Sequence, residues 1–159
     1  MIGRAGVLLL ALSASAAPAP VLVVDGDVER PLRLSEADVA RLPRASVQAK
    51  GHDGETALFE GVPLSEILRA AGAQQGQELR GPALARVVVV EAVDGYRVVF
   101  ALPELDPAFT DEVVLLADRR DGRSLSESEG AWRIVVPREK RQARWARRVV
   151  RLRVLKVPD

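Results

Sequence analysis

The sequence predicts an α+β fold, with mixed β-sheets and short helices inserted between groups of strands. Three observations carry this expectation. Short runs rich in valine, leucine and isoleucine recur along the chain, at residues 21–24, 86–93, 96–102, 112–117, 132–136 and 149–157, and residues 45–50 alternate as a strand does. Asp-Gly dipeptides punctuate them at Asp25-Gly26, Asp53-Gly54, Asp94-Gly95 and Asp121-Gly122, where glycine reaches the positive φ that tight turns need. Only two stretches carry helical spacing, and both are short. Strands in groups with helices between them argue for α+β over a doubly wound parallel sheet.

Taken in order, residues 21–24 form a first strand, ended by the turn at Asp25-Gly26-Asp27. Residues 28–34 continue the sheet, with Pro31 pushing that segment to an edge. Ser35 caps a short helix, Asp38 stands three residues on for a capping box, and Pro43 stops it. Residues 45–50 alternate as a strand, and 56–60 return from the His52-Asp53-Gly54 turn. In residues 64–72, Leu64, Ile67 and Leu68 share a helical face and Gly72 ends the helix. A polar loop spans 73–82. Residues 86–93 are apolar on both faces over Val87 to Val90, which places them centrally, and Asp94-Gly95 joins them to 96–102 as a hairpin. A brief helical turn follows at 103–107, then strands at 112–117 and 132–136. In the last strand Val150, Leu152 and Val154 share one face, and Arg151 and Arg153 the other.

The chain has 159 residues, the size of one domain, and 48% of them are hydrophobic, enough for a packed core. Its 23 basic and 22 acidic residues nearly cancel, which argues against a nucleic-acid binder. Residues 1–17 have the layout of a secretory signal peptide: Arg4, an apolar run around Val7-Leu8-Leu9-Leu10, then small residues at Ala14-Ser15-Ala16-Ala17. The expectation is therefore an exported, periplasmic domain over residues 18–159, without a membrane span once the signal is removed. There is no cysteine, which excludes disulfides, thiolate catalysis and thiolate metal ligation.

Few residues suggest chemistry. His52 is the lone histidine, beside Asp53 in a glycine turn, with no ligand spacing around it; an exposed turn residue is the plainer reading, and neither a metal ligand nor a catalytic residue is assigned. Glu91, flanked by valines, suits a strand-end carboxylate or a partner for Arg97 across the hairpin. Trp132 and Trp145 fit core or boundary packing. Between them, Arg138, Lys140, Arg141 and Arg144, followed by Arg147 and Arg148, are opposed only by Glu139. Such a run is either a solvated face or a cradle for an anion.

Several segments, in order, resemble the molybdopterin-binding domain of the sulfite oxidase family. They are Gly61-Val62-Pro63-Leu64 with Ala71-Gly72 behind it, Ala92-Val93-Asp94-Gly95-Tyr96, Val114-Leu115-Leu116-Ala117 with Asp121-Gly122, and Gly130-Ala131-Trp132-Arg133-Ile134-Val135-Val136-Pro137 with Arg144-Trp145. The resemblance implies the sulfite-oxidase-type molybdopterin-binding fold and molybdopterin as the cofactor. In that family a cysteine thiolate just before the first of these segments binds molybdenum; here Ala49 stands at the matching position, so no molybdenum is expected through cysteine. The family grips the cofactor's phosphate with cations of the closing segment, which implies Arg133, Lys140, Arg141 and Arg144 as cofactor-binding residues. The function so implied is a non-catalytic module for an anion or pterin-type ligand. The alternatives are an oxidoreductase acting on a small oxyanion with atypical metal ligation, and a module docking a redox or envelope partner.

Overall fold

The computed structural model describes residues 16–158, so the expected signal segment lies almost wholly outside the described residues. Among the described residues, ten strands form two sheets. The first contains β1 (Val21–Gly26), β2 (Leu32–Ser35), β5 (Arg86–Ala92), β6 (Arg97–Ala101) and β10 (Val149–Lys156), in the order β2-β1-β10-β5-β6. It is mixed, because β10 runs parallel to β1 and antiparallel to β5. The second contains β3 (Ala45–Lys50), β4 (Thr56–Pro63), β7 (Leu115–Arg120), β8 (Arg123–Ser124) and β9 (Arg133–Val135), all antiparallel, with β9 against β7.

Among the described residues, two α-helices connect strands. In α1 (Glu36–Ala40), Ser35 and Asp38 form the anticipated capping box. In α2 (Leu64–Ala70), Leu64, Ile67 and Leu68 are fully buried, each worth about 1.5–3 kcal/mol of burial. These side chains join Leu22, Val24, Val88, Phe100 and Leu152 of the first sheet, and Phe59, Val62, Leu116 and Ile134 of the second, in one core. No helix among the described residues is long and apolar enough to cross a membrane.

The structure departs from the sequence reading at three strands. β10, not β5, is the middle strand of its sheet, and β5 alternates: Val88 and Val90 are buried while Val87 and Val89 are half-exposed. Four consecutive valines suit a one-sided strand as well as a two-sided one, because valine's branched side chain packs on either kind of pleated surface. In β10 the register shifts between Val149 and Arg151, so Val149 joins Leu152 and Val154 inside and Val150 does not. β7 begins three residues later than expected and runs through Asp118, Arg119 and Arg120, of which Asp118 and Arg120 are met by charged partners on neighbouring elements. Arg44 grips Asp118 with two bonds of 2.7 and 2.8 Å, and Arg120 pairs with Asp53 at 2.6 Å.

Close approach explains one glycine. A Cβ on Gly61 would sit 2.0 Å from the Leu116 carbonyl oxygen, so only glycine lets β4 and β7 pair at this irregular step.

Candidate functional site

The cations singled out in the sequence fold into two separate places. Arg133, which precedes the basic run, sits on β9. The segment entering β10 runs back along it: Ile134 donates to the Ala146 carbonyl, Arg148 to that of Glu129, and Val149 to that of Trp132. This brings Arg133 directly opposite Arg147 in an antiparallel bridge. Residues so paired project from the same face, and like charges there repel, by the magnitude of an ordinary cross-strand pair, about 0.2–1 kcal/mol. Packing does not require that juxtaposition; an anion between the two guanidiniums would relieve it.

Gly130 makes the approach sterically feasible. Its φ is +76°, and a Cβ there would lie 2.9–3.0 Å from Arg148. Arg148 itself holds a left-handed backbone, φ 52°, which a side-chain-bearing residue adopts only at a cost of about 1–3 kcal/mol.

Arg133 is 2% exposed, the most deeply buried charge of the chain among the described residues. Its Nη1 donates to Glu129 Oε1 at 2.5 Å, and its guanidinium lies 5.3 Å from the ring centre of Trp145 and 5.6 Å from that of Phe59. Its Nε and Nη2 have no partner. Burial pushes the Arg133 pKa down, with Glu129 opposing and Arg147 and Arg120 adding to the fall. Glu129 is raised by its own burial, but the hydrogen bonds from Ser126 and Arg133 win and hold it below the usual carboxylate range.

Around these groups lies a cavity of about 230 Å³, lined by His52, Arg120, Ser126, Ser128, Arg133 and Arg147 together with the paired carboxylates Asp53 and Glu129. It continues, through the shared residues His52, Ser128 and Arg147, into a groove of about 520 Å³ walled by Tyr96, Gln142, Trp145 and Arg148. The groove is tied together from three sides. The Tyr96 hydroxyl donates to the Ala143 carbonyl at 2.5 Å, Gln142 Nε2 donates to the Lys50 carbonyl, and the Trp145 indole donates to the Val136 carbonyl at 3.2 Å. The polar cavity offers unpaired N–H donors and hydroxyls, which suits it to an oxyanion.

Of the four cations that the family resemblance implied, the structure places only Arg133 in this cavity. Arg144 lies elsewhere. It bonds to Glu104 at 2.9 Å, to Glu139 at 2.6 Å and to the Val99 carbonyl at 3.0 Å, and stacks 4.2 Å from the Phe100 ring centre. Its donors are spent on joining the closing segment to β6. Lys140 and Arg141 are exposed on the turn between, outside the lining of both the cavity and the groove. Arg120, Arg147 and His52 complete the site. Spacing along the chain could not show them, because they come from β7, the approach to β10 and the β3–β4 turn. Trp132 and Trp145 are both buried, and Trp145 packs edge-on to Phe59 at 5.8 Å. Glu91 stands opposite Arg97 in register, yet its carboxylate pairs with Arg151 of the other neighbouring strand at 3.7 Å.

A molybdenum centre of the family type does not fit these residues. Ala49, which the resemblance implied at the cysteine's place, is buried against Ala57 across β3 and β4, and the chain's sole sulfur is that of Met1. No group of three or more histidine, cysteine, aspartate or glutamate side chains among the described residues is placed to hold a metal ion. The oxyanion end of a cofactor fits better, against Arg133 and Arg147.

Comparison with known proteins agrees with this architecture. The fold matches the crystal structure of the sulfane dehydrogenase SoxCD from Paracoccus pantotrophus with a TM-score of 0.67 and 23% identity, over 85% of this chain and 38% of that one. This chain therefore spans well under half the length of that protein. No curated protein matches its sequence significantly. Residues 16–159 match the family described as the oxidoreductase molybdopterin binding domain. An α+β pair of sheets closed by a cation-rich β9–β10 junction is thus what this sequence builds, and the chain belongs to the oxidoreductase molybdopterin-binding domain family.

Proposed function

We propose that this protein is an exported, non-catalytic member of its family that binds an anionic or pterin-type ligand in the cavity between Arg133, Arg147 and His52. One observation carries the reading: Arg133 is almost wholly buried, yet leaves two donors unpaired beside a second arginine. An unsatisfied buried donor costs about 1–3 kcal/mol, more when charged, and a bound oxyanion recovers it. The absence of a sulfur ligand in the same domain supports binding without family-type metal chemistry. Lys140 and Arg141, on the exposed turn nearby, would contribute long-range attraction of an anion and no direct bond.

The test has two parts. Protein purified from a molybdenum-replete host is analysed for metal and pterin, and its thermal stability is measured with increasing sulfate or phosphate. The expected result is no stoichiometric molybdenum and a rise in melting temperature that Arg147→Ala weakens, with affinity falling about tenfold or more, as for loss of a charge-assisted bond. Stoichiometric molybdenum overturns the non-catalytic reading in favour of an oxidoreductase with atypical ligation. Stability indifferent to both anions removes the ligand pocket.

A further inference from the structure

We propose that a second cavity, remote from the cationic one, is a receptor for a primary ammonium on an aliphatic stem, the chemistry of a small alkylamine or of a lysine side chain. This cavity is separate from the anion pocket. β4 carries the chain from the His52 turn to Pro63, about 20 Å away along the strand, and the cavity opens there, at the start of α2.

Its volume is about 280 Å³, with an apolar wall that includes Pro63, Leu105 and Pro107. The segment that builds the opposite wall is fixed from within. The Asp106 carboxylate, 4% exposed, accepts from the Gly76 amide at 2.6 Å and the Ala108 amide at 2.8 Å. The Thr110 hydroxyl accepts from the Glu112 amide at 3.0 Å, and the Leu64 amide donates to the Val114 carbonyl at 2.9 Å. The space is therefore preformed, and a ligand need not order it.

Charge and an unused hydroxyl both point to a cation. Glu66, Asp111 and Glu112 line the cavity, and no lysine, arginine or histidine does. Glu66 is spent on Arg69, whose Nη1 lies 2.7 Å from both carboxylate oxygens. Glu112 meets Arg138 at 2.9 Å, but that arginine is 84% exposed, and such a surface pair holds weakly. Asp111 has no partner among the described ion pairs. Three carboxylates against two arginines leave one negative charge, which a single monocation matches. Ser65 lines the same space and is only 6% exposed, yet its hydroxyl makes no hydrogen bond among the described residues, where buried hydroxyls nearly always make one. Its carbonyl, by contrast, is taken by Gln75 at 2.8 Å.

The lining also selects the kind of cation. No three acidic, histidine or cysteine side chains among the described residues are grouped to hold a metal ion. No aromatic ring lines the cavity, and a quaternary ammonium is recognised by such rings. A primary ammonium donates three hydrogen bonds and accepts none, which suits carboxylates and a free hydroxyl oxygen, while its stem packs on the prolines and Leu105.

The test is a titration of the isotope-labelled full chain with n-butylammonium chloride, followed by NMR, with sodium and tetramethylammonium chloride at the same ionic strength alongside. Butylammonium alone should produce saturable shifts at the amides of Ser65, Glu66 and Asp111 to Val114. Affinity should fall about tenfold in Asp111→Asn and about threefold in Ser65→Ala. Asp111 is exposed, so its variant should keep the parent's spectrum away from the cavity. Lysine blocked at its α-amino and α-carboxyl groups separates the two sources: binding as tight as that of butylammonium assigns the cavity to a partner's lysine, and weaker binding to a free amine. Shifts that sodium or tetramethylammonium reproduces, that never saturate, or that Asp111→Asn leaves unchanged overturn the proposal and leave the anion pocket untouched.

Discussion

Replacing Glu129 by alanine tests whether Arg133 is held as a buried charge. Glu129 Oε1 accepts the one hydrogen bond that the Arg133 guanidinium makes, while Nε and Nη2 already lack partners. Without Glu129, a guanidinium 2% exposed has no carboxylate at all and still faces Arg147. Breaking a buried pair from one side costs about 3–5 kcal/mol. The rings of Phe59 and Trp145 remain and return about 0.5–2 kcal/mol, but they act equally in the parent and so do not offset the loss. For a domain of this size the melting temperature should fall by roughly 10 °C or somewhat more. Glu129→Gln should lie between. Arg133→Met, which removes the charge and keeps the volume, should cost less than Glu129→Ala, and the double variant should regain much of what the single one lost. Urea unfolding at neutral pH measures each value, and the double-mutant cycle isolates the pair. Sulfate should stabilise Glu129→Ala more than the parent, because the vacated position beside Nη1 admits the anion. A loss below about 1 kcal/mol, the range of surface pairs, would refute the reasoning, since Arg133 would then be solvated in the native state.

Two further expectations concern other charges. Asp25 bridges β1 to β10 through Arg151 at 2.7 Å and Arg153 at 3.1 Å; its burial alone would raise its pKa, but the two arginines hold it below the ordinary 3.8. Its stabilisation is therefore complete above the unfolded-state value and lost as pH falls through the lower folded one. Asp25→Asn should cost about 1–2 kcal/mol at neutral pH and soften the decline of the urea midpoint toward acid. Arg144→Ala should cost about 1–3 kcal/mol by releasing Glu104, Glu139 and the Val99 carbonyl, while the melting shift produced by sulfate persists. Disappearance of that shift would place Arg144 in the binding site.

Much of the architecture was legible in the residues because its signals are local. The Ser35–Asp38 capping box, the Asp94-Gly95 hairpin turn and the spacing of Leu64, Ile67 and Leu68 depend on backbone geometry within a few residues, and each stands where it was expected. The N-terminal boundary of β7 was not legible, since Val113 and Val114 are as β-prone as Leu115 and Leu116, and pairing with β4 and β9 decides where the ladder begins. The face of Val150 was hidden for a similar reason: a bulge in β10 changes the register, and alternation along one strand carries no information about its neighbour.

The sequence by itself determined the family, the mixed α+β plan, the lack of any sulfur ligand for molybdenum, and the presence of a local excess of cations in a chain with almost no net charge. Tertiary structure alone decided what those cations do. Arg144 and Arg133 lie eleven positions apart, yet one is spent among carboxylates beside Phe100 while the other is buried, half-paired and set against Arg147. The difference arises because an arginine's role depends on which groups share its desolvated surroundings, and those arrive from β7, from the β3–β4 turn and from the approach to β10. The separation of one cationic run into a clamp and a pocket is a property of the folded chain.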